Sequence, residues 1–342
     1  MDFTLTDDRR MLADTLDRFL ADRYDHPTRM RIAGSEAGWS REMWGEMAEL
    51  GLIGALFGEE EGGFGGAGAD LALVFERLGR ALVVEPFLGA LAAAALPQEM
   101  RDAIIGGESI VAFAHSEPGC AFAPARLSTR FADGTLTGTK VAVAGAEAAD
   151  ILVVSGMDGE TPSLFMVEAN AVQMTGYDLM DGGRGADIRL DGAPATRLDL
   201  PLDTLLDRML LALSAEALGQ MERCKDATVD YLKTRRQFGV PLSKFQALQH
   251  RVVEMVMAIE QTRSAVINAA HHLGGAHSAR YAAAAKYTAA VTGRKVAEET
   301  IQLHGGIAMT WEYEIAHVAK RLVMTAQILG DEDIYLMRFA TA

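Results

Sequence analysis

Residues 231–251 read Tyr-Leu-Lys-Thr-Arg-Arg-Gln-Phe-Gly-Val-Pro-Leu-Ser-Lys-Phe-Gln-Ala-Leu-Gln-His-Arg. Helix formers lead up to Arg235 and Arg236, break at Gly239 and Pro241, and then resume, so one helix ends here and another begins. Cations at a helix end suit the macrodipole, and glycine followed by proline is ordinary stop punctuation. The same residues admit a second reading. An arginine at a chain break offers forked donors to phosphate oxygens, and Phe238 offers a flat face to a planar ring. Further on, residues 302–313 read Gln-Leu-His-Gly-Gly-Ile-Ala-Met-Thr-Trp-Glu-Tyr, where Gly305 and Gly306 end an alanine-rich helical run. Bare glycine backbone can cap a helix or let a ligand approach closely.

The 342 residues are 49% hydrophobic and 23% charged, enough for a sizeable core in two or three structural units. A net charge of −15 argues against nucleic acid and anionic membrane as partners, and obliges an anionic ligand to find a locally basic site. Arg235, Arg236, Lys244 and Arg251 form such a cluster in the sequence. Two cysteines, Cys120 and Cys224, make no disulfide framework and show no metal-ligand spacing, which fits a reducing cytoplasm. Neither a basic-then-apolar leader nor a run of about 18 apolar residues occurs, so a cytoplasmic location is expected. His271 and His272 are adjacent on different helix faces and His277 follows two glycines, so no metal site is expected.

Helical patterns come first, then strands, then helices again. Thr6 can cap a helix carrying Met11, Leu12, Leu16, Phe19 and Leu20 at helical spacing, and Ser40 opens another that ends at Gly51. A helix over 70–79 capped by Asp70 and an apolar one over 88–95 stopped by Pro97 follow. Between Gly51 and the helix over 70–79, the glycine-rich residues 57–68 carry three glutamates, which suits a flexible surface loop and disfavours a phosphate cradle. Short runs at 110–114, 135–143, 151–154 and 163–167, with an Asp133-Gly134 turn, predict a small β domain. Two apolar stripes are expected to be core: Leu206, Met209, Leu210, Leu213, Ala217, Met221 and Cys224, then Phe245, Leu248, Val252, Met255, Val256 and Ile259. With helices over 281–303 and 314–329 they predict an antiparallel four-helix bundle. The class is α+β without βαβ alternation, and no Gly-x-Gly-x-x-Gly lies between a strand and a helix.

The motifs Arg235-x-x-Phe238-Gly239 with Gln246, and Gln302-x-His304-Gly305-Gly306, resemble those of the acyl-CoA dehydrogenase family, and the resemblance covers essentially the whole chain. It implies an N-terminal all-α domain (1–108), a middle small β-barrel domain (109–200) and a C-terminal four-helix bundle (201–342). It also implies FAD as cofactor, with Arg235, Phe238, Gln246, Gln302, His304, Gly305 and Gly306 along its diphosphate and adenine half. On its own, His304 also reads as a helix-end histidine, and His250 and His317 read as structural. The implied chemistry removes hydrogens from Cα and Cβ of an acyl-CoA: a carboxylate takes the α-proton while the β-hydrogen leaves as hydride to the flavin. Electrons then pass to an acceptor resembling electron-transfer flavoprotein.

Departures from the family pattern narrow the reading. Its β domain holds the flavin ring with a Thr-Glu-Pro-Gly-x-Gly-Ser-Asp loop and a Trp-Ile-Thr/Ser strand. Here the loop is Ser116-Glu117-Pro118-Gly119-Cys120-Ala121-Phe122-Ala123 and the strand is Val141-Ala142-Val143-Ala144. Leu329 stands where most members carry the glutamate base, and Met209 stands at the alternative position. Of the nearby carboxylates Asp207, Glu216 and Asp331, the last is the candidate base. The stretch from Ile328 to Asp333 resembles small subunits of heteromeric members, of the pimeloyl-CoA and steroid side-chain types. That resemblance implies an α2β2 enzyme in which this chain completes the FAD site of a second, base-carrying subunit. Alternatives are a homo-oligomeric dehydrogenase using Asp331 and a non-catalytic assembly subunit.

Overall fold

The computed structural model describes residues 5–119 and 126–342, so Cys120, Ala121, Phe122 and Ala123 of the loop lie outside the described residues. The chain divides into two compact units, one of Met1–His26, Ala72–Val83 and Leu210–Ala342, the other of Pro27–Leu71 and Val84–Met209.

Local capping behaves as the side chains dictate. Thr6 Oγ1 accepts the Arg9 N–H at 3.4 Å ahead of α1 (Asp7–Arg23), and Ser40 Oγ accepts the Met43 N–H at 3.2 Å ahead of α3 (Arg41–Glu49). The helix α2 (His26–Ala33) lies between them. Helix α4 (Gly68–Ala81) begins before Asp70, which therefore is not its cap residue; its Oδ2 reaches back from inside the first turn to the Ala67 N–H at 3.1 Å. The apolar run is a short α5 (Phe87–Ala90) continued by a 3-10 turn (Leu91–Ala95), and Pro97 opens α6 (Gln98–Ile105) rather than only stopping its predecessor.

The glycine-rich segment is not the flexible loop expected. A Cβ on Gly63 would come within 2.3 Å of the Gly54 and Phe57 carbonyl oxygens, and one on Gly65 within 2.3 Å of the Ala55 oxygen. Glu61 accepts the Gly58 N–H at 3.1 Å and pairs with Arg208 at 2.8 Å. Burial raises the Glu61 carboxyl pKa, but Arg208 outweighs it and the net shift is downward. Only glycine backbone permits this packing.

In the same unit one eight-stranded sheet forms, ordered β6-β7-β3-β2-β4-β5-β8 with β1 paired to β4, from β1 (Val111–Ala114), β2 (Arg130–Ala132), β3 (Thr135–Ala144), β4 (Ile151–Asp158), β5 (Thr161–Glu168), β6 (Gln173–Asp178), β7 (Arg184–Pro194) and β8 (Thr196–Leu198). This is the middle β domain expected; among the described residues no pairing joins β6 to β8. Asp133 and Gly134, at φ 49° and 75°, make the two-residue turn that sets Ala132 opposite Thr135. Leu136, Val143, Leu152, Val154, Phe165 and Ile188 fill its core.

The other unit carries α7 (Leu202–Thr234) from Leu210 onward, α8 (Gln246–His272), α9 (Ser278–His304), α10 (Glu314–Gln327) and a fifth helix, α11 (Glu332–Thr341), that the sequence pattern had not separated. The first apolar stripe is buried throughout. Of the second, only Met255 and Ile259 are; Val256 is exposed, as are its neighbours Val253 and Met257 at 54% and 67%. Helix α8 packs on α9 and pairs Arg263 with Glu76 at 3.0 Å and Glu222 at 2.7 Å, while Val253, Val256 and Met257 face outward. No helix of the described residues is long and apolar enough to cross a membrane.

Candidate functional site

Beyond Thr234 the chain makes a two-stranded hairpin, β9 (Arg236–Gln237) against β10 (Val240–Pro241), with Phe238 and Gly239 as its turn at φ 54° and 81°. A left-handed backbone is ordinary for glycine and costly for phenylalanine. The turn sets Phe238 outward, 91% exposed, its ring meeting only Phe245 edge-on at 6.1 Å among described rings. Of the four cations that the sequence clusters here, Arg236 closes the hairpin by donating to the Gly239 oxygen at 2.9 Å and Arg251 pairs with Glu299 at 2.7 Å. Arg235 and Lys244 are exposed and, among the described residues, carry no ion pair. Gln246 is the first residue of α8 and is exposed.

At the end of α9, Gly305 takes φ 71° and gives its N–H to the Ile301 oxygen, a glycine C-cap. A Cβ on Gly305 or Gly306 would meet nothing within 4 Å, so this backbone lies bare to open space beside the exposed Gln302. His304 points the other way. It is 4% exposed, its ring 4.6 Å from that of Tyr231 and 5.5 Å from that of Tyr313, and its Nδ1–H donates to the Thr300 oxygen at 2.8 Å. Burial lowers its pKa below the ordinary imidazole value, against the upward pull of the Thr300 and Ala227 carbonyls. Thus the structure brings the end of α7 and the end of α9 together through His304, while Arg235, Phe238, Gln246, Gln302, Gly305 and Gly306 stay on the surface. Tyr231 and Tyr313 are the ring neighbours of His304 that sequence reasoning passed over; each flanks a motif, and an aromatic in that place is the available signal.

The positions read for a base are otherwise engaged. Leu329 is buried at φ 61°, and its carbonyl accepts the Tyr335 hydroxyl. Asp331 Oδ1 accepts the Ile334 N–H at 3.1 Å as the N-cap of α11. Glu216 holds Arg321 at 2.7 Å and Gln220 at 2.9 Å, and Met209 and Asp207 are buried.

In the sheet, Ala142 stands at φ 52° within a bulge of β3, and its N–H is shared by Tyr177 Oη at 3.1 Å and Asp187 Oδ1 at 3.2 Å. Tyr177 itself donates to Asp187 at 2.7 Å, and burial with this carboxylate raises its pKa. Glu117, from the neighbouring loop, is fully buried against Lys140 Nζ at 2.6 Å and accepts the Ser128 hydroxyl at 2.6 Å and the Thr129 N–H at 3.1 Å. Glu117 and Ala142, one from each stretch compared with the family's flavin-holding pattern, are therefore committed to internal hydrogen bonds.

The model of the acyl-CoA dehydrogenase C-terminal domain matches residues 202–342, and that of the N-terminal domain matches residues 6–98. The chain is 32% identical over 332 residues to "Acyl-CoA dehydrogenase IpdE2" of Mycolicibacterium smegmatis, covering 95% of this chain and 96% of that protein. The Mycobacterium tuberculosis protein of the same name is 33% identical, covering 95% and 94%. Among solved structures, a variant of the Tcur3481-Tcur3483 steroid ACAD superposes with a TM-score of 0.92 at 28% identity, covering 99% of this chain and 98% of that one. The ChsE4-ChsE5 complex from Mycobacterium tuberculosis shares the fold, with a TM-score of 0.91 at 24% identity over 100% and 98%.

Proposed function

The chain belongs to the acyl-CoA dehydrogenase family, and from that premise we propose that it completes the FAD site of a second, base-carrying dehydrogenase-like subunit acting on an acyl-CoA thioester. Its cofactor is FAD. The surface suits that group: bare backbone at Gly305 and Gly306, two uncommitted cations at Arg235 and Lys244, and an exposed aromatic ring at Phe238. Arg235 and Lys244 would hold the diphosphate by charge-assisted hydrogen bonds, Phe238 would cover a planar face, and Gln246 and Gln302 would add amide contacts. Bound FAD supplies the hydride acceptor for the β-hydrogen.

The observation that carries the reading is the engagement of Asp331. Its carboxylate oxygen is spent on the Ile334 N–H, Leu329 stands beside it, and Glu216 is bound to Arg321, so the α-proton is assigned to a carboxylate of the partner. The hold of Tyr177 and Asp187 on Ala142 points the same way, because the strand that would receive a flavin ring is closed on itself. An electron-transfer flavoprotein-like chain is the proposed acceptor of the electrons. The named pairs among the structural neighbours support a heteromeric assembly.

The chain purified alone should carry substoichiometric FAD and turn over no acyl-CoA, whereas co-expression with a longer dehydrogenase-like chain bearing a glutamate base should yield a flavinated complex. A fully flavinated, active homomer would reject the proposal in favour of Asp331 as base.

A further inference from the structure

We propose that His304 is a positioning residue: as a neutral imidazole it locks the Tyr231–Arg235 end of α7 to the Gln302–Gly306 end of α9, and its protonation loosens that lock. The inference rests on the FAD reading for its consequence, because the two ends carry the proposed cofactor contacts.

The geometry singles out a histidine where packing alone would choose another ring. His304 stands in a stack with Tyr231, at 4.6 Å and an interplanar angle of 31°, and with Tyr313, at 5.5 Å and 58°. A phenylalanine would fill that stack and leave no polar atom in it. The Nδ1–H donates to the Thr300 oxygen at 2.8 Å, which fixes the tautomer and leaves Nε2 as a bare acceptor. That Nε2 is buried and, among the described residues, receives no hydrogen bond; the Ala227 carbonyl that faces the ring is an acceptor like itself. Such an orphaned atom lowers stability, and a side chain kept in spite of it calls for a role.

Tyr231 lies one helical turn before Arg235, and His304 immediately precedes Gly305, so the stack connects the two motifs through rigid helix ends. The groups facing the ring are the Tyr231 phenol and the Ala227 carbonyl from α7, the Tyr313 phenol from the segment before α10, and the Thr300 carbonyl from α9. Among the described residues no charged side chain contributes to its titration. Burial favours the neutral form, so the stack is intact at neutral pH, and a proton on Nε2 would place a charge between two aromatic rings with only the Ala227 carbonyl to receive it.

The test has two readouts on the full chain. Hydrogen exchange of the bonded amides of Arg235, Leu242 and Gly305, corrected for intrinsic rates, should lose protection in the wild type as pH falls from 7 towards 5 and should not in His304→Phe. FAD affinity of the assembled complex should fall over the same range by up to about tenfold per pH unit, the limit for one proton, and stay flat in His304→Phe. Protection independent of pH in the wild type, or the same slope in both proteins, overturns the proposal; the wild-type exchange alone suffices if the variant does not fold. Exchange that follows the expectation in a complex that binds no FAD would leave the lock standing and reject the cofactor reading instead.

Discussion

The rings of Tyr231 and His304 lie 4.6 Å apart, and this contact joins the ends of α7 and α9, each of which carries one of the motifs. His304 is buried and Tyr231 half-buried, while Arg235, Gln302, Gly305 and Gly306 beside them are exposed. The arrangement sets the buried His304 beside an exposed set of donors.

Arg235 is exposed and, among the described residues, carries no ion pair, so its charge is available to a diphosphate. A charge-assisted hydrogen bond contributes about 1.5–3 kcal/mol, and Arg235→Ala should weaken FAD retention in the complex by roughly one to two decades. Equilibrium dialysis of the assembled mutant measures it. An unchanged affinity would make Arg235 a helix terminator only.

Asp331 offers two substitutions with opposite expectations. Asp331→Asn keeps an N-cap acceptor and should leave both stability and the rate of flavin bleaching by a saturated acyl-CoA intact. Asp331→Ala should cost about 0.5–2 kcal/mol of stability through the lost cap, again without a specific loss of rate. Were Asp331 the base, the asparagine variant would slow bleaching by about 10²–10⁴-fold, which single-turnover absorbance would reveal.

Glu117 and Lys140 form a fully buried pair, and Lys140 also donates to the His115 carbonyl and Ser155 hydroxyl, each at 3.1 Å. Glu117→Gln would strand the ammonium and should cost about 3–5 kcal/mol, much of which the added change Lys140→Met should restore. Burial pushes the Glu117 carboxyl up, but Lys140, Ser128 and Thr129 hold it at about 2, below its ordinary 4.5. Between those values the unfolded chain binds more protons, so the pair's contribution is present above 4.5 and drains as pH falls towards 2. Urea unfolding at neutral pH and near pH 3 should show that acid loss in the wild type and not in the double variant.

Lys286 is shifted in the same direction, with its window at higher pH. Its buried Nζ donates to the Thr325 and Ala326 carbonyls in the last turn of α10, and burial pushes it down to about 7 from 10.5, with Glu216 opposing and Arg321 adding to the shift. The unfolded chain therefore holds the extra proton between 7 and 10.5, and stability should rise with pH across that window. Unfolding free energies near pH 7 and pH 10 should differ in the wild type and converge in Lys286→Met. A flat wild-type profile would mean that the amine reaches water.

The sequence by itself determined what depends on near neighbours in the chain. Thr6 and Ser40 cap their helices because the hydroxyl reaches an amide three residues on, the stripe from Leu206 to Cys224 is buried because its period is that of a helix, and Asp133-Gly134 turns because both residues tolerate a left-handed backbone. The two motifs were equally legible, since each is a few contiguous residues. Only the tertiary structure decided what depends on distant partners. Arg208 ties down the glycine-rich segment from a separation of 147 residues, and of the second apolar stripe only Met255 and Ile259 find cover against neighbouring helices. Asp331 becomes a cap because α11 follows it. His304 turns inward because Tyr231, from another helix, is there to receive it, and periodicity along one chain carries no information about what stands opposite in space.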